Sequence, residues 1–199
     1  AAVAGDGGAV RRFLDALLGR ARPLPAKNER LFAISTALVT LEMQLGLKAI
    51  DRAGITFKPV ESNYFERMSV DLNALLEIST RDTGSRFETK TDQYNFRWII
   101  LQDPEFEDLV ATIHIVSEEL VANGFGEQLL ASVFGFTTAE GQHVYWIYNY
   151  KRGRFYPFVP RGNRARDNAL ELRMGSAMER ELPVEPELER WYPIWDIPF

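Results

Sequence analysis

Three strand-like runs, residues 129–137, 144–150 and 155–159, follow one another with only short turns between them, and this succession constrains the fold more than any other feature of the chain. Glu140-Gly141 lies between the first two, a hairpin signal, because tight hairpin turns need residues that tolerate positive φ. Lys151-Arg152-Gly153 then turns the chain into the third run. Strands joined this closely pair antiparallel, since a parallel pair needs a long crossover connection.

The rest of the chain alternates helical and hairpin patterns. Residues 9–20 carry Val10, Phe13, Leu14, Leu17 and Leu18 at helical spacing, with Arg11, Arg12 and Arg20 on the other side. A second helix is expected from near Asn28 or Ser35 to Gly46, through Leu38, Leu41 and Leu45, with Gly46 closing it. In residues 47–60, Ala53-Gly54 separates two short apolar runs and predicts a β-hairpin. Tyr64, Phe65, Met68, Leu72, Leu75 and Leu76 predict a helix over 62–78, closed by the polar STRDTGSR. Residues 86–101 read as a further hairpin turning at Asp92-Gln93, with Tyr94, Phe96, Trp98 and Ile100 along its second arm. The clearest helix follows: Asp103 as cap, Pro104 at its first position, an apolar stripe of Phe106, Leu109, Val110, Ile113, Val116 and Leu120, and Asn123-Gly124 at its end. A last helix is expected over 164–181. No repeat of fixed period occurs. The fold class implied is α+β, an antiparallel sheet with helices packed on it. A single domain over 9–199 is expected, with residues 1–8 a disordered end or a cloning remnant.

Composition bounds the chemistry. At 199 residues, 46% hydrophobic and 26% charged, the chain has ordinary globular usage and enough length for a core of its own. It has no cysteine, which removes disulfides, thiolate nucleophiles and sulfur-ligated metal sites and suits a reducing, cytoplasmic setting. The net charge of -5 opposes non-specific nucleic-acid binding. No apolar run approaches the roughly 20 residues that span a bilayer.

Candidate reactive groups are sparse. His114 and Glu118 stand four apart on one helix and could share a cation, but two ligands do not make a site, and His143 has no partner in sequence. Asp167 and Glu171 share a helix face without the contrast in environment that an acid–base pair requires, and Asp167 reads as a helix-start residue. No nucleophile-elbow or phosphate-loop pattern is present. The expectation is therefore no enzyme activity, no metal and no cofactor.

The most unusual segment is KRGRFYPFVPRGNRAR, residues 151–166, in which Lys151, Arg152, Arg154, Arg161, Arg164 and Arg166 surround Phe155, Tyr156 and Phe158. Interleaved cations and rings suit RNA, an anionic ligand or an acidic protein surface. The other reading is a strand with rings facing the core and arginines at the surface. The C-terminal tail is its electrostatic opposite, with Glu179, Glu181, Glu185, Glu187, Glu189 and Asp196 among Trp191, Tyr192, Ile194, Trp195, Ile197 and Phe199. Such a tail either folds back on its own domain or docks on another chain, and packing near 151–166 would pair opposite charges. The helix at 9–20 fits either a core-packing helix or peripheral membrane contact through Phe13, Leu14, Leu17 and Leu18.

Several segments carry a family resemblance: LLGRARPLP near the start, LFAISTALVTLE at 31–42, AGITFKPVE at 53–61, YKRGRFYPFVP at 150–160, RDNALELR at 166–173 and the closing LPVEPELERWYPIWD. Together they resemble the PspA-associated protein PspAB family of actinobacteria and some archaea. The resemblance implies a cytoplasmic accessory protein linked to PspA-type membrane-stress proteins and to an HtpX-type membrane protease, with no established enzyme activity or cofactor. The element order is also similar to secretion-chaperone-like folds, an analogy of architecture. The expected function is a non-enzymatic adaptor in a phage-shock-type membrane stress response. In that reading Lys151, Arg152 and Arg154 supply charge complementarity, and Phe155, Tyr156 and Phe158 supply an apolar anchor. The alternative is a small-molecule or nucleotide-binding regulatory domain whose pocket the same segment lines.

Overall fold

In the computed structural model, which describes residues 30–81 and 83–199, the alternating apolar runs assemble into one six-stranded antiparallel sheet. The helix expected at 9–20, with Phe13, Leu14, Leu17 and Leu18, lies outside the described residues. A 3-10 turn, Arg30–Phe32, leads into α1, Ala33–Met43, and Gly46 leaves that helix at φ 63° as expected. There follow β1 (Lys48–Phe57), α2 (Asn63–Arg81), β2 (Arg86–Thr91), β3 (Arg97–Gln102) and α3 (Phe106–Ala122). The meander then comes as β4 (Leu129–Thr137), β5 (His143–Asn149) and β6 (Arg154–Phe158). A small ribbon of β7 (Pro160–Arg161) and β8 (Ala165–Arg166) precedes α4 (Asn168–Met178). The strand order is β2-β3-β1-β4-β5-β6.

The hairpin expected at 47–60 does not form. Residues 48–57 run as the single central strand β1, with Ala53 and Gly54 paired to Leu101 and Ile100 on one side and to Phe134 and Val133 on the other. Gly54 is a glycine of close approach, not of a turn: a Cβ there would lie 2.7 Å from a Phe199 ring carbon and 3.1 Å from Trp98. Turn glycines and approach glycines look alike in a sequence, because both follow from the missing side chain.

Smaller differences have local causes. In the β2–β3 hairpin, Tyr94 and Phe96 belong to the turn, because the Asp92 carboxylate gathers it. One oxygen accepts the Tyr94 and Phe96 N–H groups, each at 2.9 Å, and the other accepts the Trp98 indole N–H at 2.9 Å. Asp103 is buried and accepts the Glu105 N–H at 2.8 Å and the Ser85 hydroxyl, so it orders the turn before α3. The last helix starts at Asn168 instead of 164, since Asn163 and Arg164 take positive φ in the β7–β8 turn and Asp167 caps the helix by accepting the Leu170 N–H.

Residues opposite one another on antiparallel strands share a face. One face presents Ile55, Phe57, Ile99, Phe134, Phe136, Trp146 and Tyr148, and α1, α2 and α3 cover it; Phe106 packs 5.8 Å from Phe134 and 5.5 Å from Phe136 between ring centres. The other presents Gly54, Trp98, Ile100, Val133, Tyr145, Ile147, Tyr156 and Phe158. One continuous core runs from Leu31 to Trp191.

Asp92→Ala is expected to lower the unfolding free energy by about 2–3 kcal/mol, since it strands a buried indole donor and two turn amides. Asp92→Asn should fall between, its amide oxygen keeping the backbone bonds while its N–H faces the Trp98 donor. Denaturant unfolding of the three proteins measures this, and equal midpoints would remove Asp92 from the account.

Candidate functional site: the basic segment and the C-terminal strap

In β6 the alternation of a strand buried on both sides decides where the rings go. Phe155, Tyr156 and Phe158 are 0%, 2% and 1% exposed. Phe155 faces the helix layer, its ring 4.7 Å from Tyr148. Tyr156 and Phe158 face the other way, under the C-terminal segment: Tyr156 stacks on Trp191 at 6.5 Å, and Phe158 meets Trp195 edge-on at 5.2 Å. Burial pushes the Tyr156 phenol above its ordinary pKa, and its hydroxyl donates to the Tyr192 carbonyl at 2.9 Å. In this fold the three rings are interior residues, as in the reading of this stretch as a strand whose rings face the core.

The cations stay at the rim, and the tail meets them there. Arg152 donates from Nε and Nη2 to the two Glu185 carboxylate oxygens at 2.9 and 3.2 Å, and from Nη2 to Glu187 at 3.2 Å. Glu187 also accepts from Arg190 at 2.6 Å. Arg154 donates to the Val184 carbonyl at 3.4 Å, and Lys151 is exposed beside them. Further along, Arg164 pairs with Asp196 at 3.5 Å. Arg166 clamps Glu171 at 2.8 Å and the Trp191 carbonyl at 2.7 Å, with its guanidinium 5.2 Å over the Phe158 ring. The tail thus folds back on its own chain and pairs opposite charges, the first of the two outcomes the sequence left open.

The backbone joins in. Phe155 donates to the Pro183 carbonyl at 2.9 Å and Glu185 donates to the Phe155 carbonyl at 2.8 Å, so residues 183–185 line the free margin of β6. The strap then crosses the sheet. The Trp191 indole donates to the Glu185 carbonyl at 2.8 Å, and its ring fits against Gly175 of α4, where a Cβ would come within 2.5 Å. At the end, the Tyr145 hydroxyl donates to the Phe199 carbonyl at 3.2 Å. The pairing of Glu185 with Arg152 was within reach of the sequence as a match of opposite charges. The Gly175–Trp191 contact left no signal, because a small residue in a helix names no neighbour.

Other candidate groups are accounted for by packing. Glu171, 2% exposed, accepts the Val159 N–H at 2.8 Å besides its Arg166 pair, which makes it a structural clamp. Asp167 is held below its ordinary pKa by the Leu170 N–H and then by Arg161, as befits a helix cap. The His114 ring lies 4.6 Å from Phe32, and His143 stacks on Tyr145. Among the described residues no group of three His, Asp or Glu side chains converges as a metal site. Among the described residues, one open concavity of about 390 Å³ lies beside Lys90, Tyr94, Trp98 and Trp195, and another of about 310 Å³ beside Arg52, Arg86, Ile100 and Gln102. Neither includes Arg152 or Tyr156, beside which the alternative reading places a small-molecule pocket.

The model of the PspA associated protein B family matches residues 11–199. This chain belongs to that family. No curated protein and no solved structure matches it. The family's name states an association with PspA and names no reaction, so a PspA-linked accessory role is the functional statement that membership supports. No described helix of this family member is long and apolar enough to cross a membrane.

Truncation after residue 183 removes Trp191, Trp195 and Phe199 from the sheet face. At about 1.5–3 kcal/mol per large buried side chain, the thermal midpoint should fall by more than ~10 °C and the protein should bind an apolar dye. An unchanged midpoint would refute the strap. Acid should weaken the same region. The Arg152 guanidinium holds the Glu185 carboxyl below its ordinary 4.5, and Asp167 lies below 3.8, so the stability from these groups is complete above those ordinary values and is lost as pH falls through the depressed ones. Glu185→Gln is expected to flatten the acid limb of the stability–pH curve, read from denaturant midpoints between about pH 5 and pH 2.

Proposed function

We propose that this chain is a non-enzymatic, cytoplasmic adaptor of a phage-shock-type membrane stress response, binding an acidic segment of a PspA-type protein through the rim formed by Lys151, Arg152 and Arg154. Membership of a family named for association with PspA supports the general role. The observation that carries the binding chemistry is the strap itself: Arg152 already receives two carboxylates, Glu185 and Glu187, from a segment rich in acids and rings. A surface that takes an acidic, aromatic segment in cis has the complementarity to take one in trans. Tyr156 and Phe158 lie beneath the strap and would form the apolar floor of the exchanged contact, whereas Phe155, on the helix side, stays in the core. An HtpX-type membrane protease is the second partner in this reading, on the strength of the resemblance.

Recovery of the cognate PspA-type protein in a pull-down tests the assignment with three forms of the chain. Arg152→Glu with Arg154→Glu should lower recovery about tenfold or more, as loss of close charge pairs does. Glu185→Gln with Glu187→Gln leaves the basic rim intact and loosens its internal competitor, so recovery should rise above wild type. Equal recovery from all three would sink the rim as the binding surface.

A further inference from the structure

The two margins of the sheet are treated differently. The β6 margin is closed by residues 183–185, whereas no described residue pairs with the outer side of β2. Free margins of this kind invite pairing with another chain, and charges along them usually discourage it. Here the charges have an order. Arg86, Glu88 and Lys90 fall on one face of the pleat, with Asp92 next in the alternation, so the signs run plus, minus, plus, minus along RFETKTD.

That order is complementary to itself when reversed. If β2 pairs antiparallel with β2 of a second copy about a two-fold axis at Thr89, Glu88 faces Lys90 and Arg86 faces Asp92, and the symmetry makes each pair occur twice. On the other face Thr89 meets Thr89 and Phe87 meets Thr91, pairings that suit a sheet. The register is selective. Centring the axis one residue away sets like charges opposite: Glu88 against Glu88 and Arg86 against Lys90, or Lys90 against Lys90 and Glu88 against Asp92. Parallel pairing in register sets every charge against its own kind.

The strand is prepared for this. Asp92 is fixed in place by its bonds to Tyr94, Phe96 and Trp98, while Lys90 and Glu88 are about half exposed and, among the described residues, hold only each other, at 3.0 Å along the same strand. No described side chain is paired with the Arg86 guanidinium, and residues 88–91 are exposed throughout. We propose that the chain self-associates through β2, with six strands from each copy joined into one antiparallel sheet about an axis at Thr89. The seam is a single strand pair and is small by the standards of stable dimers. The association is therefore a reversible one, with a dissociation constant in the ~1–100 μM range that rises with salt.

Sedimentation equilibrium of the full chain over a range of concentrations tests this by charge exchange. Glu88→Lys alone and Lys90→Glu alone each set like charges face to face twice, and each should raise the dissociation constant about tenfold or more. The double exchange, Glu88→Lys with Lys90→Glu, restores opposite charges across the axis and should restore association. Circular dichroism and melting temperature report the fold of each form, which these exposed side chains should leave unchanged. A wild-type chain that stays monomeric at ~100 μM would overturn the proposal, as would a dimer insensitive to both single reversals. Single reversals that weaken the dimer without recovery in the double exchange would overturn the register.

Discussion

An antiparallel sheet whose strands are apolar on both faces needs two covers, and every other feature of this chain follows from how it finds the second. The helices α1 to α3 supply the first. Among the described residues, α4 is the one helix left for the remaining face, which holds Trp98, Tyr145, Ile147, Tyr156 and Phe158. The last residues of the chain complete that cover, bringing Trp191, Trp195 and Phe199 onto the sheet. What holds the cover in register is electrostatic and backbone-based together: the Arg152 fork on Glu185, and the bonds of residues 183–185 to Phe155. A two-point carboxylate contact fixes orientation as well as distance, which a greasy tail alone would not.

Much of this was legible in the sequence where one period governs a segment. The stripe of α3, the β4–β5–β6 meander and the positive-φ glycines at positions 46, 124, 141 and 153 follow from local pattern and appear where expected. Legibility failed where the third dimension decides. Ala53-Gly54 has the composition of a turn but serves a ring from residue 199. Phe155, Tyr156 and Phe158 are interleaved with cations, as in a binding stretch, and are interior because both faces of β6 are covered. The positive φ of Asn163 and Arg164 shortened the last helix; Gly162-Asn163 is a turn pair, but an arginine rarely takes that conformation and the run of cations masked it.

The same geometry reshapes the functional reading. The basic segment divides into a rim of charge at the surface and a floor of rings beneath the strap. Its acidic occupant is part of the same chain, so a partner binding there must compete with Glu185 and Glu187. Internal competition of this kind makes binding conditional on what loosens the strap, acid or a stronger acidic ligand among them. The opposite margin, β2, is spared this competition, and its charge order gives it a separate use.

The central claim is that the C-terminal segment is part of the fold, and amide hydrogen exchange tests it most directly. Phe155 and Glu185 donate across the seam between β6 and the strap. Their amides should exchange as slowly as those of β4 and β5 in the middle of the sheet. Exchange of the Glu185 amide at the rate of a free chain, with β4 still protected, would contradict it.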